Sequence, residues 1–276
     1  MKLSEAFNYS VYFLSANGVD EAEFKSLCLV CSLDKIKNSE YEFHKDDEII
    51  MKKLANSLWR LKSGEPLQYV LGKWDFYESE FFVGKGVLIP RPETEELTHL
   101  VIEKAKKLSS PVVYDLCSGS GCIGISVAKA VKNSSVYCVE KSEDALNYLR
   151  KNITQADNAV AVEGDVLNPH SIESESIDIV VSNPPYIRNS DLDGLQKEVQ
   201  FEPKMALDGG KDGLDFYKKI PELWYPYLKN NGLIFFEISE EQGKDVYDIL
   251  NSLGYSNVEV KKDMYGNDRI VSAVKK

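Results

Sequence analysis

The chain has 276 residues, 43% of them hydrophobic and 28% charged, with a formal net charge of −11. That length and composition suit one large domain, or a medium one with a small companion, built around a real core. No apolar run approaches the length of a membrane-spanning helix, and the acidic total counts against a broad phosphate-binding face, so direct nucleic-acid binding is not expected.

The chain opens with "MKLSEAFNYS", which lacks the apolar core of a signal peptide; the expected location is cytoplasmic. The first seventy or so residues read as helices. Asp20 and Glu23 have capping-box spacing ahead of a helical face formed by Phe24, Leu27, Cys28 and Cys31. Cys28 and Cys31 spell C-x-x-C, but no second pair or nearby His completes a zinc site, and the five cysteines form no even disulfide framework. His44, His99 and His170 sit in unrelated contexts, so no metal centre is expected. The segment "DDEIIMKKLANSLWRLKSG" puts Ile50, Leu54, Leu58 and Leu61 on one stripe that ends at Gly64.

In "DFYESEFFVGKGVLIPRPETEEL", Phe81-Phe82-Val83 and Val87-Leu88-Ile89 flank Gly84-Lys85-Gly86, which predicts a short hairpin. Pro90 and Pro92 stop its second strand, and the run from Glu93 to Glu96 opens a helix with negative charge at its positive end. From Pro111 onward, apolar runs alternate with amphipathic helices. Strands are predicted at "VVYDL", "SVYCVE", "AVAVEGD", "IDIVVSN", "GLIFFEIS", "VEVKK" and "RIVSAVK", and helices around 122–132, 142–155, 214–229 and 240–253. The pattern is that of an α/β protein with a mainly parallel sheet. The last two strands leave no room for a helix between them, so one of them is antiparallel.

The first of these strands runs into "DLCSGSGCIGIS". Gly119, Gly121 and Gly124 fit G-x-G-x-x-G, and Glu140 ends the next strand nineteen residues after Gly121. Glycines let backbone approach an adenosine-bearing ligand, and the carboxylate accepts hydrogen bonds from its ribose. Glycines alone more often serve only the turn; loop, context and spaced carboxylate together favour a ligand. A dinucleotide and S-adenosylmethionine compete for that reading. Asp115, just before the loop, would repel a pyrophosphate but suits an ammonium or sulfonium group, which favours S-adenosylmethionine. Asp165 ends the third strand on the same edge, where it could take the adenine amino group or simply close a turn.

The fourth strand ends in Asn183-Pro184-Pro185-Tyr186. The first and fourth strands end near the topological switch point, which brings Asn183 toward the glycine loop. A conjugated NH2 group is a poor nucleophile that must be gripped and aimed. The Asn183 oxygen and the Pro184 carbonyl could accept its two N–H groups, prolines keep that carbonyl fixed, and Tyr186 offers a flat face. Catalysis would then be mainly positioning.

"DLCSGSG", "VVSNPPYI", "FEPKMALDGGKDGLDFYKKI", "GEPLQYVLG" and "VLIPRPETEEL" together resemble the release-factor glutamine methyltransferase family (PrmC/HemK), from about residue 64 to the end. Asn-Pro-Pro-Tyr alone is shared with amino-directed DNA and RNA methyltransferases. The resemblance implies a helical domain for substrate recognition at 1–73, a β-hairpin linker at 74–92 and a seven-stranded Rossmann-like methyltransferase domain at 93–276. The implied reaction moves a methyl group from S-adenosylmethionine to the side-chain amide nitrogen of the Gly-Gly-Gln glutamine of peptide chain release factors. Cys117, Ser118, Gly119, Ser120, Gly121, Glu140 and Asn183 match family cofactor positions, with Asp115, Asp165 and Val166 beside them. Asn183, Pro184, Pro185 and Tyr186 match the glutamine-binding corner. Glu140 stands where Asp is commoner, and Val166 is aliphatic where relatives can place an aromatic ring on the adenine.

The Gly-rich stretch from Asp208 has Gly210 at its third position and Lys219 at its twelfth, which is wrong for a calcium loop. The nearest rival function is an adenine-N6 methyltransferase on DNA or RNA, which would need a basic track and a way to extract its base. An NAD-dependent oxidoreductase is disfavoured by Asp115, and a silent S-adenosylmethionine-binding scaffold would bind without turnover. A monomer is expected.

Overall fold

The computed structural model describes residues 1–48 and 51–276. The chain divides into two compact units, Met1–Lys73 with Gln196–Phe201, and Trp74–Leu195 with Glu202–Lys276.

The smaller unit holds α1 (Leu3–Ala16), α2 (Ala22–Asp34), α3 (Tyr41–His44), α4 (Met51–Lys62) and α5 (Leu67–Leu71). Leu54, Leu58 and Leu61 are buried on one stripe of α4, as their spacing predicts; Ile50 lies outside the described residues. Helix α2 departs from its predicted pattern. No Asp20–Glu23 capping box forms, because Glu21 occupies the N-cap with a left-handed φ of 54°. Phe24 is 48% exposed, while Lys25, Ser26, Leu29 and Val30 join Cys28 and Cys31 in the interior. The helix meets α1, α4 and α5, so most of its circumference is covered rather than one stripe. The Lys25 ammonium enters with its charge paired, 2.6 Å from Glu198. Both C-x-x-C thiols are buried and outside any disulfide, and Cys28 Sγ accepts from Asn38 Nδ2 at 3.1 Å.

From Trp74 the larger unit begins with a two-stranded sheet of β1 (Lys73–Phe76) and β2 (Ser79–Phe82), the first residue of β1 being the last of the smaller unit. The hairpin therefore lies earlier than its glycines predict. Its turn is Tyr77-Glu78, where Tyr77 adopts a φ of 54° and donates its N–H to Glu95 at 2.8 Å. Val87 to Ile89 form no strand: Val87 N–H closes a turn on the Gly84 carbonyl, and Ile89 N–H donates to the Glu202 carboxylate at 2.9 Å.

There follow α6 (Pro92–Ala105), β3 (Val112–Leu116), α7 (Cys122–Ala130), β4 (Ser135–Glu140), α8 (Glu143–Asn152), β5 (Ala159–Glu163), β6 (Ile177–Ser182), α9 (Asp215–Trp224), β7 (Leu228–Glu237), α10 (Gly243–Ser252), β8 (Ser256–Lys262) and β9 (Asp268–Val274). The seven-stranded sheet has the order β5-β4-β3-β6-β7-β9-β8. The first five of these run parallel, and β9 is antiparallel to both β7 and β8. Val113, Ile179 and Val181 pack into one core with residues of α6, α7 and α8, whereas Leu116, Val180 and Ile234 pack into a second with residues of α9 and α10. A sheet covered on both faces explains why its strands read as continuous apolar runs. The chain order reverses between β3 and β6, so the carboxyl ends of these two neighbours flank the switch-point crevice.

Candidate active site

Five parallel strands deliver polar groups to one edge of the sheet. Asp115 lies near the end of β3, Glu140 ends β4, Asp165 follows β5, Asn183 follows β6 and Glu237 ends β7. A cleft enclosing about 1040 Å³, solvent at its mouth included, opens over this edge.

The loop after β3 is built for close approach. Cys117, Gly119 and Gly121 all take positive φ, at 58°, 55° and 82°. A methyl group on Gly121 would lie 2.5 Å from the Leu149 side chain. Ser118 anchors the loop by donating its N–H and its hydroxyl to the Val139 carbonyl, and Asn152 donates to the Ser120 carbonyl at 2.9 Å. Glu140 completes the cradle. One carboxylate oxygen accepts from Gly119 N–H at 2.8 Å, and the other from the N–H groups of Lys141 and Ser142 at 2.9 and 2.7 Å. A carboxylate has about four acceptor sites, so it retains capacity for a ligand hydroxyl.

Cys117, Ser118, Gly119, Ser120, Glu140, Asp165, Val166, Asn183 and Pro185, all predicted from sequence, line this cleft. Asp165 accepts from Lys141 Nζ at 2.7 Å and from Leu167 N–H at 2.9 Å. Partial burial works against its charge, but these donors hold its carboxyl below the usual value. Four predicted residues stand outside the wall: Asp115, Gly121, Pro184 and Tyr186. Asp115 is fully buried beneath the loop, where it accepts Gly124 N–H at 2.9 Å and leaves its other oxygen without a partner. Burial pushes its carboxyl up to about 7, with a smaller contribution from Glu140. Asp115 lies under α7, behind the loop that lines the cleft. The Tyr186 ring packs against the core shared with α9 and α10, and burial together with Glu237 pushes its phenol up to about 12.

The Asn-Pro-Pro-Tyr corner is clamped from outside by the Gly-rich segment. Ile187 pairs with Asp208, and a methyl group on Gly209 would lie 2.7 Å from Tyr186 Cα. Gln242 donates to the Tyr186 and Gly213 carbonyls, both at 3.1 Å. A second tie joins two sequence strings 111 residues apart: Arg91 of Pro-Arg-Pro pairs with Glu202 of Phe-Glu-Pro.

Sequence reasoning missed Thr94 and Glu237. Asn183 Nδ2 donates to Thr94 Oγ1 at 3.2 Å, and Thr94 Oγ1 donates to Glu237 Oε2 at 2.6 Å. Both Thr94 and Glu237 are 2% exposed. Burial pushes the Glu237 carboxyl up to about 7 despite the Thr94 hydrogen bond and Arg269. The rule that selected Glu140, an acidic residue ending an apolar strand, selects Glu237 equally well.

A family model described as "Methyltransferase small domain" matches residues 91–201, and one described as "PrmC N-terminal domain" matches residues 5–72. A protein of Thermodesulfovibrio yellowstonii named "Release factor glutamine methyltransferase" is 39% identical over 89% of this chain and 88% of its own. One of Bacillus cereus with the same name is 37% identical over 99% of each chain. Among solved structures, the hMettl16 catalytic domain in complex with a MAT2A 3'UTR hairpin aligns with a TM-score of 0.57 over 82% of each chain, at 15% identity. That likeness speaks for the fold alone. Among the described residues, no helix is long and apolar enough to cross a membrane.

Proposed function

The chain belongs to the release factor glutamine methyltransferase family, and from that premise we propose that it methylates the side-chain amide nitrogen of the Gly-Gly-Gln glutamine in peptide chain release factors. It is an S-adenosylmethionine-dependent enzyme. The cleft fits that cofactor: the Glu140 carboxylate keeps acceptor capacity for a ribose hydroxyl, and Val166 and Ile123 offer apolar wall to an adenine. When bound, S-adenosylmethionine supplies the electrophilic methyl group.

The observation that carries the reading is Asn183. It lines the cleft with its NH2 committed to Thr94, and no described residue donates to its Oδ1. That oxygen is an acceptor for one N–H of a glutamine amide; to the other we assign the Pro184 carbonyl, which lies between the cleft-lining Asn183 and Pro185 but is not itself part of the wall. Gripping both N–H groups aims the nitrogen, and no strong base is needed beforehand. The amide proton leaves once the nitrogen is alkylated. We assign release-factor recognition to residues 1–73, with 74–92 as linker and 93–276 as the methyltransferase domain; the match of the "PrmC N-terminal domain" model over 5–72 supports this division. We place the enzyme in the cytoplasm, with its translational client, and propose that it acts as a monomer. An adenine amine would also fit the corner, but no further observation favours it.

The protein should be incubated with S-adenosylmethionine and a release factor, or with an adenine-containing DNA and RNA panel, and methylation read by mass spectrometry. A single methyl on the Gly-Gly-Gln glutamine is expected. Asn183→Ala should cost ~1–3 kcal/mol of transition-state stabilisation while leaving S-adenosylmethionine binding largely intact in calorimetry. Methylated adenine beside an untouched release factor would overturn the client, and equal turnover by the variant would remove Asn183 from the mechanism.

A further inference from the structure

An asparagine side chain can face a substrate in two ways, with its carbonyl or with its NH2. Only the carbonyl suits a substrate that presents N–H groups. The two atoms differ little in size, so the choice must be made by hydrogen-bond partners. Here the partner is Thr94, at 3.2 Å from Asn183 Nδ2, and behind it Glu237, at 2.6 Å from the Thr94 hydroxyl.

A hydroxyl has one proton to donate. An ionised Glu237 can only accept, so the Thr94 proton is committed to it and Thr94 can only accept from Asn183. The amide must then turn its NH2 inward and its oxygen to the cleft. A protonated Glu237 can donate instead. Thr94 is then free to donate toward Asn183, which favours the flipped amide and presents NH2 to the substrate, donor against donor. We propose that Thr94 and Glu237 are positioning residues that set the amide orientation of Asn183, with the ionised carboxylate selecting the productive one. The proposal rests on the methyltransferase reading above.

The surroundings of Glu237 suit such a role. Arg269 on β9 and Arg91 before α6 favour its charge, while Glu93 opposes it. Tyr186 from the corner and Cys122 of α7 also feel its charge, and Tyr217 of α9 donates to its backbone carbonyl at 2.7 Å. Burial outweighs the arginines and places ionisation at about 7. Raising pH through that value ionises Glu237 and orients Asn183; lowering it releases the orientation.

Two measurements test this. In steady-state methylation of a release factor from pH 6 to 8.5, wild-type kcat should fall on the acid side of about 7, with S-adenosylmethionine affinity flat. Thr94→Val should lower kcat roughly tenfold at the alkaline end and lose the acid limb, Thr94→Ser should restore both, and Glu237→Gln should lose the limb because nothing titrates. In ¹⁵N-labelled enzyme, the Asn183 side-chain amide resonances should shift with pH in the wild type and stay still in Glu237→Gln. If Thr94→Val fails to fold, the nearly isosteric Glu237→Gln decides the matter. Titrating Asn183 resonances with no glutamine methylated would keep the relay and discard the client. An active wild type matched by Thr94→Val at every pH, or Asn183 resonances indifferent to pH, would discard the relay.

Discussion

Gly213 has a φ of 75°, and a methyl group there would lie 2.4 Å from the Tyr186 carbonyl oxygen and 2.8 Å from Gln242 Nε2. An alanine at this position meets two penalties: left-handed backbone, at roughly 1–2 kcal/mol, and a clash with main chain that cannot swing aside. Gly213→Ala should therefore destabilise the protein by ~1–3 kcal/mol and slow glutamine methylation more than it weakens S-adenosylmethionine binding, because the displaced group is the corner and not the glycine loop. Denaturant titration and kinetics on the same preparation would check this, and wild-type values in both would show that the clamp does not position the corner. At this scale the sequence was readable where function is local. Asn183 and Glu140 announce themselves by ending apolar strands. Thr94 did not, since its partners lie 89 and 143 residues away and its own neighbours read as the charged start of a helix. Asp115 was legible as unusual but not as buried: its alternation with Val113 turns it under α7, where it accepts Gly124 N–H.

Elements were legible where periodicity set them and obscured where backbone strain did. The strands of the large sheet fall on the segments their apolar runs predict, and burial on both faces makes the signal continuous in an inner strand such as β6. The exception is the start of β7 at Leu228, inside the stretch 214–229 expected to be helical, where α9 instead ends at Trp224. Turns were harder. The hairpin turns at Tyr77, whose φ of 54° would ordinarily advertise itself as Gly or Asn, so the nearby Gly84 and Gly86 attracted the assignment instead. Helix α2 ends the same way. Lys35 sits past its last turn with φ 60°, and Ile36 N–H closes back on the Cys31 carbonyl at 3.0 Å. That is a left-handed cap without the glycine that usually forms one. Lys35 is exposed, so replacing it removes strain without opening the core. Lys35→Gly should raise stability by about 0.5–1 kcal/mol, part of the relieved strain being offset by the greater freedom of glycine in the unfolded chain. A shift of the urea midpoint to higher concentration at unchanged slope would bear this out; a lower midpoint would mean that the cap is not strained.

Across the whole molecule, carboxyls held by several donors and carboxyls dominated by desolvation pull stability in opposite directions with pH. Asp46, Asp165, Asp212 and Asp263 have partners that hold their carboxyls low, so the stability they contribute is present above the ordinary range and lost in acid. Asp115 and Glu237 do the reverse. Their ordinary values of 3.8 and 4.5 are pushed up to about 7 by burial, so the native chain holds protons that the unfolded chain has released. Their contribution is complete below pH of about 4 and is lost as pH rises through about 7, at up to ~1.4 kcal/mol per pH unit for each group. Stability should consequently peak on the acid side of neutrality, decline toward about 7 and level off above it, whereas the orientation of Asn183 requires Glu237 ionised. The form able to grip a glutamine amide is then the less stable one, which is the cost of keeping a carboxylate behind the active-site asparagine. Urea unfolding at pH 5.5, 6.5, 7.5 and 8.5 should show that decline in the wild type, and Asp115→Asn and Glu237→Gln should each flatten part of it. A wild-type curve that rises across this window, or variants that reproduce its slope, would show that neither carboxyl titrates near neutrality and would remove the acid limb expected of the relay.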